Sequence, residues 1–299
     1  MADTGIGKGF NMQMQSSWYE RIAAPRTSTC LACRKTIPYY GEIANLGAED
    51  WRRPLCTSCL EHIPFIDEVG CSSCGRHIRC EDCQRQPLQS YGLAYNRSVV
   101  QYHDHMKEWL AMCKYKGDQS FARVMAGMMI ERYMPLALTA KVNKPARSTS
   151  DWWTMLKEWW NPESIIEVPD LITYVPSSLE RLEERGFNQA ELLAGYLAKA
   201  WGRPLLSCLD RVRDMGKQSQ QSRAGREHSL EGTFVWNKEA FQGIRFYIAR
   251  QPKPHLHILL VDDVYTTGST IRACASALRE GLNEIRIPGM ISSYTWARA

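Results

Sequence analysis

The sequence has no apolar run long enough to cross a bilayer; its densest, Ile258 to Val261, has the length of a buried strand. Residues Met1 to Ala24 contain no apolar stretch of the kind a secretion signal needs, so the expected location is the cytosol, with any membrane association made through partners. Charge of one sign is not in large excess. A net charge of +5 and a pI near 8.6 admit an anionic small molecule or a nucleic acid and demand neither. No internal repeat is visible beyond paired cysteines.

What is present supports a folded core. Hydrophobic residues make up 44% of the 299 positions and charged residues 23%, which suits one large domain with a smaller module. The composition shifts along the chain give a polar leader over 1–29, a cysteine-rich module over 30–88 and an α/β domain over 89–299.

Eight of the eleven cysteines fall in four CxxC pairs: Cys30/Cys33, Cys56/Cys59, Cys71/Cys74 and Cys80/Cys83. In a reducing compartment these are not disulfides. A CxxC turn presents two thiolates on one side of a tight loop, and two such turns complete a tetrahedral zinc site. Four pairs make one or two structural zincs. Sequential pairing and a crossed scheme, first with third and second with fourth, are equally allowed by spacing, and His62 or His77 can replace a thiolate. Cys113, Cys208 and Cys274 stand alone in apolar surroundings and read as buried hydrophobes.

The α/β domain is expected to begin with a strand in which Tyr91, Leu93 and Tyr95 alternate. A helical stretch should follow from Val99 to Tyr133, capped at Asn96 or Ser98 and broken near Lys116-Gly117-Asp118. Residues 137–168 interrupt the pattern with a polar linker and a segment in which Trp152, Trp153, Leu156, Trp159 and Trp160 recur at helical spacing. Strands are then expected at Asp170–Val175, Phe246–Ala249, His255–Val261 and Glu284–Ile291. Helices are expected at Asn188–Trp201, closed by Gly202, and at Ser269–Arg279, stopped by Gly281. Strands alternating with helices predict a parallel sheet covered on both faces.

The most informative segment runs from Ile258 to Thr270: a buried strand, then Asp262 and Asp263, then Thr266, Thr267, Gly268, Ser269 and Thr270 opening a helix. In an open α/β sheet, ligands sit beyond the carboxyl ends of the strands. Successive backbone N–H groups and hydroxyls at a helix N-terminus cradle a phosphate monoester, and a glycine lets the backbone approach it. Two adjacent carboxylates accept hydrogen bonds from sugar hydroxyls. The combination reads as phosphate with sugar beside it. Receiver domains can also begin Ile-Leu-Leu-Val-Asp-Asp, but they need most of a domain after that strand, and only 36 residues follow Asp263.

This segment resembles the signature by which type I phosphoribosyltransferases bind 5-phosphoribosyl 1-pyrophosphate (PRPP). The resemblance implies that Asp262 and Asp263 contact the ribose while Thr266 to Thr270 hold the 5′-phosphate. It also implies a pyrophosphate loop at Tyr174-Val-Pro-Ser177-Ser178, with Arg181 and Arg185 near it, and Mg²⁺ accompanying PRPP. Further segments are similar to the ComF family: Cys113-Lys-Tyr-Lys-Gly-Asp118, Glu184-Arg-Gly-Phe-Asn-Gln-Ala190, and a basic loop from Lys217 to Phe234. Together with the cysteine module they cover about 30–136 and 171–299; the Trp-rich insert departs from the family pattern. The resemblance implies a phosphoribosyltransferase-type sheet preceded by a zinc module, and a role in natural transformation. That role would be the handling of incoming single-stranded DNA beside a helicase-like partner. Lys217, Arg223 and Arg226 are candidates for DNA contact or for a flexible loop over the ligand. The alternative function is an enzyme transferring phosphoribose from PRPP to a nitrogenous base.

Overall fold

A computed structural model of the chain describes residues 27–38, 50–115, 119–140, 168–212, 232–251 and 255–299. Most of the expected leader, most of the Trp-rich insert and the basic loop with Lys217, Arg223 and Arg226 lie outside the described residues, while the leader's last three residues form a strand. The chain divides into two compact units, Met1–His62 and Ile63–Ala299. The paired cysteines are therefore shared between them, and the second two pairs belong to the unit that contains the main sheet.

In the first unit, strands β1 (Thr27–Thr29) and β2 (Thr36–Pro38) form an antiparallel hairpin, and a short helix α1 covers Thr57–Glu61. The second unit opens with α2 (Glu81–Arg85) and a 3₁₀ turn (Leu88–Tyr91). Next come β3 (Asn96–Gln101), α3 (Asp104–Tyr115), α4 (Gln119–Leu138), β4 (Leu171–Tyr174), α5 (Leu179–Arg185) and α6 (Gln189–Trp201). It closes with β5 (Leu209–Arg211), β6 (Phe234–Trp236), α7 (Ala240–Arg250), β7 (Leu256–Tyr265), α8 (Ser269–Glu284) and β8 (Gly289–Arg298).

Among the described residues, the main sheet has the order β3-β8-β7-β4 and every pairing in it is parallel. The expected parallel sheet flanked by helices is thus the fold. Its two faces follow the period of two along β7. Ile258 and Leu260 join the cluster formed with Ile271, Cys274, Leu278 and Leu282 of α8. Leu259 and Val261, which alternate with them, are also fully buried. A strand buried on both faces is the reason this stretch is apolar without interruption.

Several boundaries differ from the sequence reading. Asn96 and Ser98 are not helix caps but buried strand residues. Ser293 donates to Asn96 Oδ1 at 2.8 Å and the hydroxyls of Ser98 and Thr295 lie 2.6 Å apart, so cross-strand bonds hold both in β3. Val99 and Val100 are fully buried in that strand, and helix begins only at Asp104. Phe246–Ala249 lies within α7 instead of a strand. Ala240 and Ile244 are buried one helical turn apart, and a four-residue apolar run carries no period of its own. The last strand starts at Gly289, later than expected.

Helix α8 passes through Gly281 instead of stopping there. The glycine is needed for packing: a Cβ on it would lie 2.1 Å from Trp236 Cδ2, so the indole occupies the space of the missing side chain. Gly281→Ala is expected to cost about 1–3 kcal/mol through overpacking, read from the urea midpoint. An unchanged midpoint would show that the indole can move aside freely.

Candidate functional site

A cavity of about 410 Å³ opens beyond the carboxyl ends of β4 and β7, the position where open parallel sheets bind ligands. It is lined by Asp262, Asp263, Thr266 and Thr270 on one side and by Pro176, Ser177, Arg181 and Arg185 on the other. Residues that the sequence reading assigned separately to a sugar, a phosphate and a pyrophosphate therefore share one cleft. Lys114, Arg211 and the two arginines give it four cations against two carboxylates, so the cleft favours an anionic ligand.

The phosphate loop is built on a narrow turn. Gly268 has φ +80, where an L side chain is strained, and a Cβ there would lie 2.1 Å from the Tyr265 hydroxyl. Ser269 opens the sixteen-residue α8, its amide 3.4 Å from Thr267 Oγ1 and its hydroxyl 2.9 Å from the same oxygen. Thr267, Gly268 and Ser269 thus shape the turn, while Thr266 and Thr270 line the cleft.

In the opposite loop, Asn188 does the holding. Its Nδ2 donates to the Val175 carbonyl at 3.0 Å, and its Oδ1 accepts from Ser177 Oγ at 3.0 Å and from the Ala190 amide at 3.1 Å. The last of these caps α6. Ser178 caps α5 by accepting from the Arg181 amide, and it is buried and absent from the cavity lining. Its hydroxyl is committed to the helix, so in this arrangement Ser177 is the hydroxyl that the loop offers to the cleft.

The two acids are not equivalent. Asp263 forms an ion pair with Lys114 at the end of α3. Asp262 accepts the Asp263 amide at 2.8 Å. Burial, and then the neighbouring charge of Asp263, raise the Asp262 carboxyl well above the ordinary carboxylate range, against weaker pulls from Lys114 and Arg181. The fold delivers Lys114 to the cleft from a helix distant in the chain. Tyr102, Asn188, Gln189 and Arg211 also join the lining. The only sequence signal for Lys114 was its place in a segment similar to a family pattern, whereas Asn188 was already legible as the start of a helix.

The cysteines form two groups of four among the described residues, Cys30/Cys33/Cys56/Cys59 and Cys71/Cys74/Cys80/Cys83, the ligand atoms of each within 4.8 Å of one another. The pairing is sequential, and the crossed scheme is not formed. His62 directs Nδ1 to the Ser58 carbonyl at 2.6 Å instead of joining a group. Both groups use one device. In the first turn the Arg34 amide donates to the Cys30 carbonyl at 2.9 Å, and in the second the Gly75 amide donates to that of Cys71 at 2.9 Å. The partner pair then stands at a short helix, with Cys56 immediately before α1 and Cys80 immediately before α2.

Tetrahedral zinc at about 2.3 Å from each sulfur needs sulfurs about 3.8 Å apart, and Cys33 and Cys56 lie at 3.6 Å. Four thiols this close do not all ionise unaided. Sulfur–sulfur hydrogen bonds from Cys74 and Cys83 pull Cys71 down, and the same kind of contact pushes Cys83 up. A dication removes that conflict, so both groups fit structural zinc.

No protein-family model matches the chain. It is 30% identical to Competence protein ComFC of Bacillus subtilis over 233 residues, which is 76% of this chain and 78% of the relative. It is 31% identical to Competence protein F of Haemophilus influenzae over 268 residues, 87% of this chain and 95% of that one. The chain belongs to the ComF family. This ComF chain is also 34% identical over 127 residues to DNA utilization protein YhgH of Salmonella typhimurium, 41% of this chain and 49% of the relative.

Two measurements test the site of this ComF chain. Metal analysis should return two zincs per chain, and Cys33→Ser should bring the count to one. Asp262→Asn should raise the melting temperature at pH 8 by about 2–4 °C. The sign follows from the raised pKa: the folded state holds the Asp262 proton more tightly than the unfolded chain, so the wild type loses stability as pH rises from about 4. The gain from the amide should therefore shrink as pH falls. A gain independent of pH would place its origin outside this carboxyl.

Proposed function

We propose that this ComF chain binds PRPP with Mg²⁺ in the cleft beyond β4 and β7, and that it serves DNA uptake in natural transformation by handling incoming single-stranded DNA. The observation that carries the ligand reading is the convergence of two loops and an acid pair on one cationic cleft. In this reading the turn from Thr266 to Thr270 takes the 5′-phosphate at the N-terminus of α8. Asp262 and Asp263 accept the ribose hydroxyls. Ser177, Arg181 and Arg185 face the pyrophosphate, where paired guanidinium donors suit phosphate oxygens. Mg²⁺ would be held by the pyrophosphate and by water more than by protein carboxylates, and it would neutralise charge there. Lys114 releases Asp263 to the sugar and turns its charge toward the ligand. The DNA reading is supported by the names of the relatives, Competence protein ComFC, Competence protein F and DNA utilization protein YhgH.

With PRPP at a hundred times Kd, binding should stabilise the wild type by about 2.7 kcal/mol in a thermal melt with Mg²⁺. The double variant Asp262→Asn, Asp263→Asn should show no such gain, and Lys114→Met should bind PRPP about tenfold more weakly by calorimetry. A wild type that PRPP leaves unmoved would end the ligand reading. For the cellular role, a deletion strain should lose transformation, and the acid-pair variant should fail to restore it. Undiminished transformation in the deletion strain would overturn the role.

A further inference from the structure

Arg298, the last residue of β8, is only 6% exposed and joins the phosphate turn to the second cysteine group. Its Nη1 donates to the Tyr265 carbonyl at 3.1 Å and to the Thr266 carbonyl at 2.7 Å, and it also reaches the Ala299 carbonyl. Its Nη2 points at Cys74 Sγ, 3.9 Å away. The guanidinium also lies over the Tyr265 ring, 4.6 Å from its centroid, and that ring's hydroxyl fills the space beside Gly268. One buried cation thus touches the last residue of β7, the first residue of the phosphate turn and a thiol of the second cysteine group.

We propose that Arg298 is a positioning residue for the phosphate turn, and that the charge of the second metal-loaded cysteine group holds it in place. Four thiolates around one Zn²⁺ leave a net negative cluster. A buried guanidinium needs such a counter-charge, since burial without one is costly. With Nη2 held by the Cys74 thiolate, Nη1 keeps the Tyr265 and Thr266 carbonyls turned away from the cleft, so that the amides that follow face an incoming anion. The second group is itself fixed to the sheet. Asn96 donates to the Cys74 carbonyl at 3.0 Å and Arg97 to the Ser72 carbonyl at 2.9 Å. The metal of this group then sets the shape of the ligand turn besides closing its own loop. This inference rests on the reading of 266–270 as a phosphate turn, and by reciprocity a phosphate bound there changes the environment of the second metal.

The test uses the full chain. In Arg298→Gln, zinc should stay at two per chain and the amides of Ile258–Val261 should keep their exchange rates. The amides of 267–270 should exchange about tenfold faster, and ribose 5-phosphate should bind about tenfold more weakly, within the range of ordinary coupling between sites. Arg298→Lys should recover part of both. Unchanged exchange at 267–270 in Arg298→Gln overturns the proposal. Should that variant fail to fold, the wild type loaded with Co²⁺ decides instead: ribose 5-phosphate should shift the cobalt–thiolate absorption bands, and bands that stay still under saturating ligand overturn the proposal. If ribose 5-phosphate and PRPP do not bind the wild type at all, the ligand reading fails, while the exchange measurement, which needs no ligand, still decides the role of Arg298.

Discussion

The turn between β7 and α8 has no room for a side chain at Gly268, and much of the site depends on that tightness. Because the backbone passes close to the Tyr265 hydroxyl at Gly268, α8 starts at the very next residue, and Thr270 in its first turn lines the same cleft as the acid pair. A wider turn would separate the N-terminus of the helix from Asp262 and Asp263, and the cleft would lose the pairing of a phosphate cradle with a sugar anchor. The same closeness explains why β7 runs past the acids to Tyr265: the strand must carry the aromatic ring to the place where it backs the turn.

The electrostatics of the cleft work against the stability of the fold. Asp262 is largely enclosed beside a second carboxylate, and its raised pKa expresses the cost of ionising it there. A protein selected for stability alone would place an amide at that position. Lys114 relieves part of the conflict by pairing with Asp263, and the arginines of α5 add to the positive side. Strain of this kind is what a pre-organised anion site requires, since its groups are arranged for a ligand and not for one another.

The sequence reading succeeded where the information was local. A strand, two acids, a hydroxylated turn and a helix follow one another within Ile258–Thr270, and each step has its own residue preference. Helix α6 was legible for the same reason, with Asn188 capping one end and Gly202 in the left-handed region closing the other. The misses were tertiary. Val99 and Val100 sit in front of a helical pattern, and only pairing with β8 makes them strand. Lys114 reaches Asp263 from a helix far away in the chain, which no spacing rule shows. Gly281 looked like a stop signal because the sequence does not reveal that Trp236 covers it. The spacing of the cysteines left the pairing open, and folding decided it by placing each turn beside the short helix that follows it.

The two cysteine turns follow one design but not one backbone cost. At the residue after the second cysteine, the first turn places Arg34 at φ 64 and the second places Gly75 at φ 74. An arginine in the left-handed region is strained by roughly 1 kcal/mol, whereas a glycine is at ease there. The second turn is in addition tied to the sheet by Asn96 and Arg97. A chelator added slowly should therefore strip the two ions in sequence, emptying the group at Cys30 before the group at Cys71 yields.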